Sequence, residues 1–222
     1  MSYSTRIKEL LSRSERRVLS KISTPRKIQD YLDSLPANFE LSGDTCMSPR
    51  LVMRHKVVHC FEGAILAAAA LAYHDKPPLL MDLRAGAGDD DHVVALFRQN
   101  GYWGAISKTN HPVLRYRDPV YATPRELAMS YFHEYIGASS RDKVLKAYSA
   151  PFDLRKYPPE KWVTDERSLR WLSGELDKSR HFPTVPKKNR RLLRDVSEYE
   201  WKASDITEWK RPRKNSRSGY GR

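Results

Sequence analysis

Two side chains 32 positions apart carry most of the chemistry this sequence offers: the thiol of Cys60, in HKVVHCFEGA, and the imidazole of His92, in DDDHVVALF. Cys60 falls where a short β-branched run gives way to a small-residue run of helical character, so it opens a helix. Unfinished backbone N–H groups and the positive dipole end of a helix favour a thiolate. An imidazole within reach would take its proton, and the pair could then attack the acyl carbon of an amide or ester. The backbone N–H of Cys60 would help hold the resulting oxyanion. The competing reading is packing, because free cysteine is among the most buried residue types and a lone histidine at a strand end is commonly a satisfied structural group.

Other groups near this pair offer weaker chemistry. Asp89, Asp90 and Asp91 precede His92 as an acidic run that reads either as a cation site or as a solvated loop. His55 and His59 stand four apart with Cys46 and Cys60 nearby, a spacing that invites zinc. That pairing needs a helix before Cys60, which the KVVH stretch opposes, and no second ligand pair completes the set. The sequence therefore implies no metal and no cofactor. Glu62 reads as a first-turn carboxylate complementing the helix dipole.

The elements that must position Cys60 and His92 follow from periodicity. CFEGAILAAAALAY, residues 60–73, is apolar almost all the way round, the mark of a helix buried on most faces. DKPP ends it. LLMDL, HVVALF and YWGAIS read as three strands, and Asn100-Gly101 between the last two predicts a two-residue type I′ hairpin. That turn pairs Gln99 with Tyr102 and carries His92 opposite Thr109. His92, Val94 and Leu96 then share a face with Trp103, Ala105, Ser107 and Thr109. The fold class is α+β: a central helix carrying the cysteine, packed on a small antiparallel sheet, with extra N- and C-terminal helices.

The order of HCFEGA, DDDHVVALF and GYWGAIS resembles that of the transglutaminase-like cysteine enzymes, over roughly residues 25 to 110. The TPRKIQDYLDSL helix is similar to the lead-in such domains have. The resemblance implies a papain-like arrangement, with Cys60 as nucleophile, His92 as general base and a third residue orienting the imidazole. The family's usual aspartate position, four after the tryptophan, holds Ser107 here. Its hydroxyl can fix the tautomer of His92 without supplying charge. Asn110 has the side chain papain-like enzymes use, but it reaches His92 only if the strand ends or bulges near Ser107. Asp82 and Asp91 are further substitutes.

The remaining chain sets the limits. Residues 1–23 read as one amphipathic basic helix and residues 24–180 as the main domain with a helical C-terminal extension. Within it Thr24 caps a helix beginning at Pro25, Thr123 caps one beginning at Pro124, Leu127, Tyr131, Phe132 and Tyr135 form an aromatic stripe, and DERSLRWLSGELDK forms a short helix. Residues 181–222 read as a basic, mobile tail. The net charge of +13 is terminal: residues 180–222 hold 13 Lys/Arg against 5 Asp/Glu, and residues 1–27 hold 8 against 2. Nucleic acid is thus implied only through the basic ends. Two cysteines, no export-type leader and no apolar run of spanning length point to the cytoplasm and away from membranes. The implied activity is that of a cysteine-dependent acyl transferase or amide hydrolase acting on a protein or peptide amide or ester. The alternatives are the same fold serving as an inactive peptide-binding module, and a nucleic-acid-associated basic protein.

Overall fold

Helix α5, Cys60–Tyr73, organises the molecule: Phe61 to Ala72 are all buried, and six of those twelve are alanine. Small side chains let neighbours approach from every side, and α1 (Tyr3–Leu10), α2 (Arg13–Lys21), α3 (Pro25–Asp33) and α4 (Pro49–His55) all pack against it. The helix stops at His74 and Asp75, the latter at φ 59°, ahead of Pro77 and Pro78. The computed structural model describes residues 1–86, 89–137 and 140–212.

The three expected strands are present as β1 (Leu79–Arg84), β2 (His92–Gln99) and β3 (Tyr102–Ile106), all antiparallel. Asn100 at φ 49° and Gly101 at φ 88° close the hairpin, and Gln99 pairs with Tyr102. The sheet continues through four strands the sequence did not announce, namely β4 (Arg117–Tyr121), β5 (Ala147–Ser149), β6 (Phe152–Asp153) and β7 (His181–Pro183). Its order is β4-β3-β2-β1-β5-β7, with β6 also beside β1. These additions have two to five residues, too few for alternation to register, and β4 carries Pro119, which an edge strand tolerates. The architecture is α+β on an antiparallel sheet.

Alternation divides the sheet between two cores. Leu80, Val93, Ala95, Phe97 and Ile106 pack on the α5 layer. Met81, Leu83, Val94, Leu96 and Ala105 pack on the opposite layer, which holds α6 (Pro124–Ser130) and the stripe of Leu127, Tyr131, Phe132 and Tyr135.

Two expectations are corrected. Residues 1–23 form two helices, because Ser12 starts a new one: its Oγ accepts from the Glu15 N–H at 3.2 Å while the Glu15 carboxylate accepts from the Ser12 N–H at 2.7 Å. The segment from His181 is not a free tail over its described part. It contributes β7, follows α7 (Arg170–Asp177), and forms α8 (Glu198–Ser204). The rest of that expectation, residues 213–222, lies outside the described residues. No helix among the described residues is long and apolar enough to cross a membrane.

Candidate active site

Cys60 and His92 meet at the end of the sheet rather than across its face. By alternation His92 belongs with Val94 and Leu96, on the layer away from α5. Yet α5 begins at Cys60 and β2 begins at His92, and the two beginnings abut. The Cys60 thiol points at the Asp91 carbonyl oxygen, 3.9 Å away, and Cys60 and His92 line the same two hollows.

The imidazole is held by Ser107. Nε2 of His92 lies 2.7 Å from the Ser107 Oγ, and both groups are buried. The Ser107 hydroxyl donates its single proton to the Leu114 carbonyl at 2.5 Å. A hydroxyl that has given away its proton can only accept, so Nε2 of neutral His92 carries the hydrogen and Nδ1 carries the lone pair. Ser107 is itself clasped by α3: Gln29 Nε2 donates to the Ser107 carbonyl at 2.8 Å, and Gln29 Oε1 accepts from the Ser107 N–H at 3.0 Å. Next door, the buried Lys108 Nζ donates to the carbonyls of Leu32 and Leu35 at 3.0 and 2.6 Å, closing the C-terminal end of α3. Gly63 allows α5 to lie against this segment, since a Cβ there would sit 2.7 Å from the Lys108 Cβ.

Cys60 is a poised thiol. Burial pushes it up, but the neighbouring imidazoles of His59 and His92 outweigh burial and bring it down to about 5. His59 in turn lies 3.3 Å from the carboxylate of Glu62. Burial disfavours its charge, yet its contacts with Cys60 and Glu62 push it up to about 11. The first-turn reading of Glu62 is incomplete: the residue is fully buried, and its carboxylate accepts from Thr45 Oγ1, the Met47 N–H, Asn38 Nδ2 and the His59 N–H, binding residues 38–47 to α5.

No protein-family model matches the chain, and no curated protein matches its sequence.

The other sequence candidates lie elsewhere. Asn110 does not contact His92: its Nδ2 donates to the Trp209 carbonyl at 3.0 Å and its Oδ1 accepts from the Trp209 N–H at 2.8 Å, so it clasps the C-terminal segment. Asp82 pairs with Nε2 of His181 at 2.9 Å. Asp91 accepts from the Ala85 N–H at 2.7 Å. His55 ends α4, and Lys56 follows in the left-handed region at φ 56°, so His55 and His59 share no helix face.

Two hollows flank the thiol. One, of about 290 Å³, has Asp89, Asp91, Glu134, Tyr135 and Trp201 in its wall; the other, of about 370 Å³, has Asn38, Phe39, His59 and Lys108. Tyr135 thus serves both core and cleft wall. Sequence reasoning missed Gln29 and weighed His59 only as a zinc ligand. Gln29 sits 78 positions from Ser107, with no local signal. For His59 there was a signal in the spacing to Glu62, which sets a carboxylate three residues on, where it accepts from the His59 N–H.

Proposed function

We propose that this protein is a cysteine-dependent acyl transferase or amide hydrolase with the papain-like arrangement of the transglutaminase-like enzymes. Cys60 is the nucleophile, His92 the general base and Ser107 the residue that fixes the imidazole. The observation that carries the reading is the hydrogen-bond relay from His92 Nε2 through Ser107 to the Leu114 carbonyl. It leaves Nδ1 of His92 open to take a proton, and the half-buried Cys60 thiol at its helix start lines the same two hollows.

The chemistry then runs in two halves. In the resting pair the Cys60 proton has already passed to Nδ1 of His92, and the thiolate sulfur bonds to the acyl carbon. The tetrahedral oxyanion collapses to a thioester as the leaving amine or alcohol takes that proton from His92. Water or a second amine attacks the thioester, giving its proton to His92, and the thiolate is released. The two hollows beside Cys60 supply room for acyl and leaving groups, and a protein or peptide amide is the substrate class proposed.

A specific observation favours a second reading, an inactive peptide-binding module. Among the described residues no carboxylate backs His92, and Trp201, Ser204 and Asp205 of the C-terminal segment wall the cleft. A burst of acylation by an activated ester separates the two. The enzyme reading expects one acyl group per chain, mapped to Cys60, absent in Cys60→Ala and at least about a hundredfold slower in His92→Gln. A chain that takes no acyl group, or takes it at the same rate without His92, belongs to the second reading.

A further inference from the structure

Resting on the reading of Cys60 as nucleophile, we infer that His59 is the resident cation of the thiolate and Glu62 the carboxylate behind it. The charge that Ser107 cannot supply on the His92 side is provided on the helix's own first turn. His92 moves the proton; His59 keeps its own.

The surroundings of His59 carry its assignment as a cation. Nε2 of His59 lies 3.0 Å from the Thr45 carbonyl oxygen, which can only accept, so Nε2 bears a hydrogen. The same nitrogen is 3.3 Å from Glu62 Oε1 and 3.7 Å from Glu40 Oε1. Glu62 is fully buried and receives hydrogen bonds from four different residues, the environment of an ionised carboxylate, and neighbouring groups hold its carboxyl down even though burial alone would raise it. An isolated buried charge is strongly destabilising, so the one basic side chain in ion-pair range of Glu62 among the described residues, His59, carries the compensating proton. The residue after His59 is Cys60, and both line one hollow.

Other groups around His59 do not take over this role. Glu40 and Cys46 approach from the 38–47 segment, Asp90 and His92 from the start of β2, and Glu62 and Cys60 from α5. The nearby cations are engaged elsewhere: Lys108 on the carbonyls of Leu32 and Leu35, and Arg170 with Asp44 at 3.7 Å. The proton balance is simple. The Cys60 proton leaves sulfur for Nδ1 of His92 and later reaches the leaving group, while His59 neither gains nor loses one. Because Glu62 stays ionised beside it, His59 remains positive when the thiolate is consumed in the thioester.

The test is the pH midpoint of Cys60 alkylation by iodoacetamide in the full chain, read by peptide mapping to separate it from Cys46. His59→Gln is expected to raise the midpoint by more than about 2 pH units, and His92→Gln by less than about 1. Glu62→Gln should follow His59→Gln in direction. A His59→Gln midpoint within about half a unit of the parent, or a larger shift in His92→Gln, overturns the inference. Should the His59 variant fold poorly, a titration of the ring nitrogens by NMR in the parent protein decides. His59 must stay doubly protonated past about pH 8, well above an ordinary histidine, and a neutral ring at pH 7 overturns the assignment. A chain whose His59 stays charged but whose Cys60 takes no acyl group upholds the ion pair and overturns the enzyme. A chain with a neutral His59 that is acylated does the reverse.

Discussion

The Ser107 hydroxyl stands 2.7 Å from Nε2 of His92 and gives its own proton to the carbonyl of Leu114. Serine is fitted to this position because it accepts on one side and donates on the other. An aspartate accepts on both. Ser107→Asp is therefore expected to lower activity and to destabilise the fold by about 2 kcal/mol or more, because an ionised carboxylate would face the Leu114 carbonyl without a proton between them. Ser107→Ala leaves the Nε2 hydrogen without a partner and should slow ester acylation about tenfold or more, with a smaller loss in stability. Urea melts and the acylation burst measure both; a faster burst in the aspartate variant would contradict the relay.

Gly63 is the narrow point between α5 and the segment that holds Ser107. A methyl group added there meets the Lys108 Cβ at 2.7 Å, and neither group can rotate away. Gly63→Ala is expected to cost about 1–3 kcal/mol through overpacking and to slow acylation by moving Ser107 relative to Cys60. Unchanged melting together with unchanged acylation would show that the contact is not a constraint.

Asn110 holds the C-terminal segment with three hydrogen bonds, two through its amide to Trp209 and one from the Glu208 N–H to its carbonyl at 2.9 Å. His111 adds a contact from Nδ1 to the Ser204 carbonyl at 2.9 Å. Asn110→Ala should leave the alkylation midpoint of Cys60 in place and speed alkylation by bulky maleimides severalfold, since α8 and Trp201 wall the cleft. A shifted midpoint would mean that Asn110 acts on His92 after all.

Asp82 and His181 share a proton. Nδ1 of His181 donates to the Ser179 carbonyl at 2.7 Å, so a single hydrogen lies between Nε2 and the Asp82 carboxyl group. Burial is the main force raising this carboxyl, to about 6. Asp82→Asn can donate to Nε2 in the same place, and it should keep its melting temperature at pH 7 within a few degrees. Asp82→Ala leaves a buried imidazole nitrogen unpaired and is expected to lose about 1–3 kcal/mol. Neither should change the acylation burst, and a burst lost in Asp82→Asn would return Asp82 to the catalytic group.

What the sequence discloses here is local. Asn100-Gly101 fixes the hairpin register, and the register brings Ser107 toward His92 without any further information. A helix apolar almost all the way round can only be central, which puts Cys60 at its half-buried start. What stays hidden depends on distant partners or on burial. Gln29 looks like an ordinary polar position in an amphipathic helix, and only the folded chain brings it to the Ser107 backbone. Glu62 reads as a solvated first-turn acid because composition does not show that residues 38–47 close over it. The basic C-terminal stretch reads as a free tail because its anchors, Asn110 and His111, lie about 100 residues away.

As proposed, Cys60 is an ionised nucleophile near neutral pH. The most direct measurement is the rate of Cys60 alkylation against pH in the parent chain. Burial raises this thiol and two imidazoles lower it further than burial raises it, to about 5. The folded value is thus depressed: the thiolate persists as pH falls from the ordinary thiol range and is lost only on passing through about 5. The rate is expected to climb through that value and to be flat by pH 7. A rate that is negligible at pH 7 and climbs only above about 8.5, as for an ordinary thiol, would contradict it.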